Sequence, residues 1–125
     1  MGEDAPDAVD ATGVTKTFGG TRALRGVDLK VARGEFLSIL GPNGAGKSTL
    51  LGILATWIRP TSGRVLVDGW DVRENAHAVR RRIGVISHQT LVYDDLTASE
   101  NLGFYGRMYG LRDLPDRVAR ALEEV

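Results

Sequence analysis

The sequence contains no cysteine and only two histidines, His77 and His88. A chain without cysteine has no disulfide framework, no thiolate zinc site and no cysteine nucleophile. Two histidines by themselves do not complete a conventional metal-binding set of side chains. The sequence therefore excludes thiol chemistry, and its histidines give no reason to expect a bound metal.

Neither sign of charge predominates in the sequence, and no apolar stretch is long. The 16 basic residues balance the 16 acidic ones, which removes the net-charge argument for a nucleic-acid binder. The longest apolar stretch, around residues 50–58, is far shorter than the ~20 residues of a membrane-spanning helix. The first ten residues are acidic and lack the apolar segment of a secretory signal. We therefore expect a soluble, cytoplasmic protein that binds no nucleic acid and meets a membrane only through a partner.

Glycine is the residue type in clear excess, with 16 in 125 residues against an average near 7%. Because glycine is favoured where the backbone adopts positive φ or approaches another group closely, several tight turns are expected. The length suits a single domain. We interpret residues 1–8, which are small, acidic and interrupted by proline, as a flexible leader and residues 9–125 as the domain.

Hydrophobic periodicity predicts an α/β chain. Apolar alternation and short apolar runs predict strands at 9–18, 27–31, 36–40 and 83–87. The last two runs are nearly continuous, which is typical of strands buried on both faces of a parallel sheet. Asp68-Gly69 predicts a hairpin between two further strands. Helical spacing with its start and stop signals predicts helices at 47–58, 75–82, 97–109 and from 115 onward.

Residues 41–48 read GPNGAGKS and match the phosphate-binding pattern G-x-x-x-x-G-K-[ST] in full. Glycines in such a loop let backbone N–H groups converge on phosphate oxygens at the positive end of the following helix. Lys47 is expected to reach the β- and γ-phosphates, and Ser48 to ligate Mg²⁺. The alternative, a glycine-rich turn with a surface lysine, is disfavoured by the strand–loop–helix context. The predicted nucleotide-binding residues are Gly41, Pro42, Asn43, Gly44, Ala45, Gly46, Lys47, Ser48 and Thr49.

Several motifs at fixed spacing accompany this loop: VTKTFG at 14–19, ALRGV at 23–27, RPTSGRVLVDGWDV at 59–72, VRRRIGVISHQ at 79–89 and ENL at 100–102. With them, residues 14–102 closely resemble the nucleotide-binding domain of ABC transporters. The resemblance implies an α/β P-loop NTPase fold of ABC type. Such a fold has a mixed sheet around the P-loop helix, an antiparallel β region and the start of a helical subdomain. The resemblance covers only the first half of such a domain. Residues 9–125 are therefore expected to be its N-terminal portion, an incomplete domain.

The resemblance also implies roles for two residues outside the loop. Phe18 occupies the position of an aromatic that stacks on adenine; without the resemblance it is a core strand residue. Gln89 occupies the position of a glutamine that joins the Mg²⁺ shell or orients the attacking water; alone, it is a solvated loop residue. Lys47 and Gln89 are thus the expected catalytic residues, Ser48 and Gln89 the metal ligands, and ATP with Mg²⁺ the cofactors.

Three other features have less specific interpretations. Asp68 ends an apolar strand, as a magnesium-binding aspartate of P-loop proteins does, but the Asp-Gly pair favours a hairpin. His88 is expected to be a packing or surface residue and not a catalytic base. The arginines at 80–82 favour a solvated helix face over a nucleic-acid or lipid patch.

The family resemblance implies a transport-coupled ATPase. Its partners would be a second nucleotide-binding subunit in a sandwich dimer and a transmembrane subunit, contacted by the segment after Gln89, on the inner face of the cell membrane. The family's LSGGQ-like signature, Asp-Glu strand end and switch histidine do not occur in residues 1–125, so we expect the isolated chain to hydrolyse ATP slowly or not at all. Residues 87–111 look most like haem-exporter ATPases of cytochrome c maturation. The alternatives are a drug or lipid exporter, a soluble ABC-type ATPase, a P-loop nucleotide kinase and a non-hydrolytic remnant.

Overall fold

The computed structural model describes residues 5–42, 44–88 and 91–125. The chain divides into two compact units, Met1–Val85 and Ile86–Val125. The first unit holds the described strands and two helices, and the second holds two further helices. The α/β class predicted from the sequence is confirmed.

The first unit is built on a four-stranded antiparallel sheet. Its strands are β1 (Val9–Phe18), β2 (Thr21–Val31), β3 (Ser62–Val67) and β4 (Trp70–Asp71), in the order β2-β1-β3-β4. Both hairpins have two-residue loops, Gly19-Gly20 and Asp68-Gly69. Asp68 and Gly69 have φ of 51° and 81°, the left-handed backbone that a type I′ turn requires. The hairpin interpretation of Asp68 is therefore confirmed.

Two helices accompany this sheet, α1 (Lys47–Leu54) and α2 (Ala76–Arg80). The core joins them to the strands through Val14, Ile53, Val65 and Val79, each almost fully buried. Burying an aliphatic side chain of this size contributes roughly 1.5–3 kcal/mol. The core therefore ties α1 to the sheet.

Helix α1 ends four residues earlier than its apolar pattern predicts. The backbone N–H groups of Trp57 and Ile58 both donate to the Gly52 carbonyl, at 2.8 and 3.1 Å, and Thr56 has a left-handed φ of 65°. The chain thus folds back on the last turn, where a Cβ on Gly52 would lie 2.6 Å from Ile58 Cδ1. The missing side chain at Gly52 makes room for Ile58, so these apolar residues pack without continuing the helix.

The apolar runs 36–40 and 83–87 are not strands, and this prediction was wrong. Phe36 is 93% exposed, Leu40 is 90% exposed and Ile86 is fully exposed. A strand of a parallel sheet needs neighbours to pair with its backbone groups. In the described residues the sheet contains only β1 to β4, and neither run pairs with it. Only Ile39 and Ile83 of these runs pack, in part, against the core.

The arginines at 80–82 are exposed, as predicted for a solvated face, and two of them also make contacts within the first unit. Asp68 accepts from Arg33 and, at 3.1 Å, from Arg82. The Arg82 guanidinium also lies 5.0 Å from the centre of the Trp70 ring. Arg80 donates to the Thr56 hydroxyl at 2.8 Å. Arg80 and Arg82 are thus engaged in contacts within the unit.

The second unit contains α3 (Ala98–Met108) and α4 (Leu114–Glu123). The predicted capping box at the start of α3 is confirmed: Thr97 Oγ1 accepts from the Glu100 N–H at 3.1 Å, and Glu100 accepts from the Thr97 N–H at 3.0 Å. A Cβ on Gly106 would collide with Leu114, so the glycine lets the start of α4 approach α3. Across the described residues, neither these helices nor those of the first unit combine the length and apolar character needed to cross a bilayer.

Candidate functional site

The glycine-rich loop enters α1 through Gly46, which adopts a left-handed backbone with φ 93° and ψ 6°. A Cβ at this position would lie 2.7 Å from the Ala23 carbonyl oxygen and 2.7 Å from Leu24 Cδ2. Both the conformation and the close approach require glycine here. The loop is therefore seated directly on β2, and α1 begins at a defined place beside the sheet.

Lys47 lies over this loop, with its ammonium held by two backbone carbonyls. Its Nζ donates to the carbonyl oxygens of Gly41 and Pro42, the second at 2.8 Å. The Ala45 N–H donates to the same Pro42 carbonyl at 3.2 Å, closing a turn. The cation is thus held beside the glycine-rich backbone, on the side of the helix start.

The donors at this place suit a polyphosphate. The first N–H groups of a helix have no partner within it, and no described side chain caps the start of α1. These N–H groups and the Lys47 ammonium are donors only and carry positive charge, as an anion requires. Ser48 is exposed and Thr49 half-buried in this first turn. Asn43 lies outside the described residues.

Magnesium would find few protein ligands here. The described residues contain no group of three or more histidines and carboxylates close enough to hold a metal ion. Ser48 supplies one hydroxyl, and Gln89, the second predicted ligand, lies outside the described residues. Mg²⁺ commonly keeps several waters and takes most other oxygens from substrate phosphates. The donor set fits a magnesium ion that arrives with a nucleotide.

Phe18 lies at the end of β1 with 48% of its surface exposed. The neighbouring Lys16 is paired across the sheet with Leu24, whose side chain meets the Gly46 position. Phe18 lies two residues, or ~7 Å along the strand, beyond Lys16. Its exposed ring is therefore that far from the point on β1 opposite Leu24, the residue that touches the loop. Phe18 is not a core residue, and the fold brings its end of β1 to the same region as the loop.

Asn101 is a buried polar residue whose role the sequence did not reveal. It is 8% exposed, and its Oδ1 accepts from the Tyr93 N–H at 2.8 Å. Its Nδ2 lies within hydrogen-bond distance of three carbonyl oxygens, those of Tyr93, Leu96 and Thr97, at 3.0–3.2 Å. The only sequence feature that could have indicated this role is the position of Asn101, four residues after Thr97, which caps α3. Asn101 therefore holds the loop 91–97 against α3.

An aromatic cluster reinforces the same loop. The Tyr93 ring meets Phe104 edge to face at 5.2 Å and stacks on Tyr105 at 6.4 Å between centroids. The Tyr105 hydroxyl donates to the Leu91 carbonyl. Leu91, Val92 and Tyr93 nevertheless remain about half exposed. The backbone of the loop that follows Gln89 is thus held by hydrogen bonds, while three of its large side chains remain exposed to solvent.

Comparison with known proteins places these features in a family. A sequence model described as "ABC transporter" matches residues 24–125, most of the chain. The chain belongs to the ABC transporter family. The match includes the glycine-rich loop, α1 and the loop before α3, while Phe18 lies before its first matched residue.

Individual relatives support the assignment. The chain is 44% identical over 107 residues to the daunorubicin resistance ATP-binding protein DrrA3 of Streptomyces coeruleorubidus, covering 86% of this chain and 34% of the relative. It is 47% identical over 103 residues to the daunorubicin/doxorubicin resistance ATP-binding protein DrrA of Streptomyces peucetius, covering 82% and 31%. The dimeric structure of MJ0796, a bacterial ABC transporter cassette, matches with a TM-score of 0.79 and 35% identity, covering 92% of this chain and 54% of that one.

These relatives also show how much of a full-length protein the chain covers and which exporter prediction is supported. The chain spans about a third of the length of these curated relatives. Both relatives carry drug-resistance names, so the haem-exporter resemblance inferred from residues 87–111 is not supported. The broader identification as an ATP-binding domain of an ABC transporter is confirmed.

Proposed function

We propose that this chain is the nucleotide-binding part of an ABC exporter ATPase that drives export of drug-like compounds. The observation that carries the proposal is the Lys47 ammonium held by the Gly41 and Pro42 carbonyls of the glycine-rich loop, at the start of α1. The drug-resistance names of the two curated relatives support an export substrate of this kind over haem.

Residues of the first unit bind the nucleotide. The first turn of α1 directs its N–H groups at the phosphates, and the Lys47 ammonium leaves its carbonyl partners to reach the β- and γ-phosphates. Ser48 contributes its hydroxyl to the magnesium ion. The exposed face of Phe18 stacks on the base, a contact worth roughly 1–3 kcal/mol in other base–aromatic pairs.

Coupling to transport belongs to the second unit. In the whole protein, Gln89 orients water or metal at the nucleotide, and ATP bound with Mg²⁺ supplies the phosphoanhydride bond whose hydrolysis powers the cycle. The loop 91–97 carries the change to a transmembrane subunit through the exposed side chains of Leu91, Val92 and Tyr93. A second nucleotide-binding subunit completes a sandwich dimer on the cytoplasmic face of the membrane, an arrangement supported by the dimeric cassette that this chain resembles.

Nucleotide affinity of Lys47→Ala tests the proposed site. Hydrogen bonds to charged groups contribute about 1.5–3 kcal/mol, so the variant is expected to bind MgATP about ten- to a hundredfold more weakly. The matched control is Lys30→Ala, because Lys30 is exposed and its ion pair with Asp7, at 3.8 Å, is of a kind that contributes little. Isothermal titration calorimetry measures both; equal affinity for MgATP in the Lys47→Ala variant and the parent would refute the site.

The same two variants test the transport proposal in the full-length protein with its membrane subunit. Inverted membrane vesicles are expected to accumulate doxorubicin when MgATP is added, and this accumulation is lost in Lys47→Ala and retained in Lys30→Ala. ATP-dependent accumulation of haem without any accumulation of doxorubicin would contradict the drug-export proposal and leave nucleotide binding intact.

A further inference from the structure

Lys16 makes two specific contacts beside the exposed ring of Phe18. Its Nζ lies 5.0 Å from the centre of that ring and donates to the Arg59 carbonyl oxygen at 2.7 Å. A lysine side chain is flexible and normally solvated, whereas this one is half-buried and held at its charged end. The ammonium therefore has a defined position over one face of Phe18.

The carbonyl that holds Lys16 belongs to a segment that is itself fastened to β1. The Thr61 N–H donates to the Thr15 carbonyl at 2.9 Å, and the Thr17 N–H donates to Thr61 Oγ1 at 3.0 Å. Arg59, two residues before Thr61, follows α1. The segment after α1 and the strand that carries Phe18 are thus joined on both sides of Lys16, and the ammonium is fixed relative to both.

A cation lies over one face of the Phe18 ring, and the residue as a whole is still 48% exposed. A planar ligand that stacks on Phe18 must therefore use the opposite face. A cation over an aromatic ring is attracted by the ring's negative face, so Lys16 favours this ring orientation before any ligand arrives. Ordering the ring in advance removes part of the entropy cost of binding.

We propose that Lys16 is a positioning residue for nucleobase recognition, which it achieves by holding the Phe18 ring with its other face open to the base. The proposal rests on the nucleotide site proposed above. Lys16 acts through Phe18 and not by contact with the phosphates, because its ammonium is already directed to the ring and to the Arg59 carbonyl.

Affinity for two probes, MgATP and magnesium tripolyphosphate, separates base recognition from phosphate binding. Lys16→Met keeps the length of the side chain and removes the charge. We expect it to weaken MgATP binding about two- to fivefold, the range for a cation–π contact at an exposed site, and to leave tripolyphosphate affinity unchanged. Lys16→Arg keeps a cation able to lie over the ring and is expected to restore MgATP affinity. Lys30→Met is the matched control and is expected to match the parent with both probes.

A second substitution tests the route through the ring. In a Phe18→Leu background, Lys16→Met is expected to cause no further loss of MgATP affinity, because the ring through which Lys16 acts is gone. The proposal is overturned by equal losses with MgATP and tripolyphosphate, by an undiminished effect of Lys16→Met in the Phe18→Leu background, or by parental MgATP affinity in Lys16→Met. A parent chain that binds neither probe refutes the proposed nucleotide site itself, a result distinct from these three. Far-ultraviolet circular dichroism of each variant confirms the fold.

Discussion

Gly46 links the glycine-rich loop to α1 at a point where the backbone is left-handed and β2 lies close by. The pattern G-x-x-x-x-G-K-[ST] predicts a glycine at this position but gives only one of the two reasons for it. The structure adds the second, which is the approach of the Ala23 carbonyl. The residue that shapes the proposed anion site is therefore also packed against the sheet.

Gly46→Ala is expected to destabilise the first unit and to weaken MgATP binding. A left-handed backbone costs a non-glycine residue about 1–2 kcal/mol, and the new Cβ would lie 2.7 Å from the Ala23 carbonyl oxygen. The matched control is Gly20→Ala, since Gly20 lacks a positive φ and has no neighbour within 4 Å of a Cβ. Urea unfolding midpoints measure the difference, and equal midpoints for the two variants would show that the contact carries no strain.

Asn101 is the second residue whose importance comes from its surroundings. Asn101→Leu is expected to free the loop 91–97, because it leaves the Tyr93 N–H and three carbonyls without their described side-chain partner. Leaving a buried polar group unpaired costs about 1–3 kcal/mol. Amide hydrogen exchange at Tyr93 is therefore expected to accelerate about five- to a hundredfold. Ser99→Ala, an exposed position on the same helix, is the control, and unchanged exchange in Asn101→Leu would show that the aromatic cluster alone holds the loop.

Among the elements, α3 has an N-terminus whose stability is expected to depend on pH. Hydrogen bonds from the Thr97 backbone N–H and then the Thr97 side chain lower the pKa of Glu100 below its ordinary value of 4.5. A lowered pKa means that the ionised carboxylate is favoured by the folded helix. Its stabilising effect is therefore complete above pH 4.5 and is lost as the pH falls through the lowered pKa.

Acid titration of α3 tests this dependence. In the parent chain, exchange of the Thr97 amide is expected to accelerate, relative to unstructured amides at the same pH, as the pH falls from about 5 to 3. Glu100→Gln keeps an oxygen that accepts from Thr97 but cannot ionise, so its relative exchange rate is expected to stay constant over that range. A parallel pH dependence in both proteins would assign the effect to another group.

The elements also differ in how far local sequence determines them. The hairpin at Asp68-Gly69 and the capping box at Thr97 depend on contacts within a few residues, and the sequence predicts both correctly. Strand β1 is predicted with its observed limits, and the glycine pair that follows it marks its end. Helix α1 is predicted too long, since apolar spacing cannot distinguish residues that continue a helix from residues that fold back on Gly52.

At the scale of the whole molecule, the nucleotide site that we propose depends on pairing between distant segments. The register of β1 with β2 brings Leu24 opposite Lys16, and Leu24 in turn touches the loop beside α1. The carbonyl of Arg59, from beyond α1, fixes Lys16 over Phe18. No periodicity in the sequence indicates these contacts, so the role that we propose for Lys16 could not have been inferred before the fold was known.

The sequence alone determined the α/β class, the position of the glycine-rich loop before α1, the hairpin at Asp68-Gly69, the capping box of α3, and the family, because each depends on short-range chemistry or on motifs at fixed spacing. Tertiary structure alone decided three other features: the exposure of the apolar runs 36–40 and 83–87, the burial of Asn101 beneath its loop, and the position of Lys16 against Phe18. The physical reason is the same in each case. Whether an apolar run becomes a strand, or a polar side chain becomes a hydrogen-bonding centre, depends on which backbone groups lie beside it, and those groups come from residues far away in the chain.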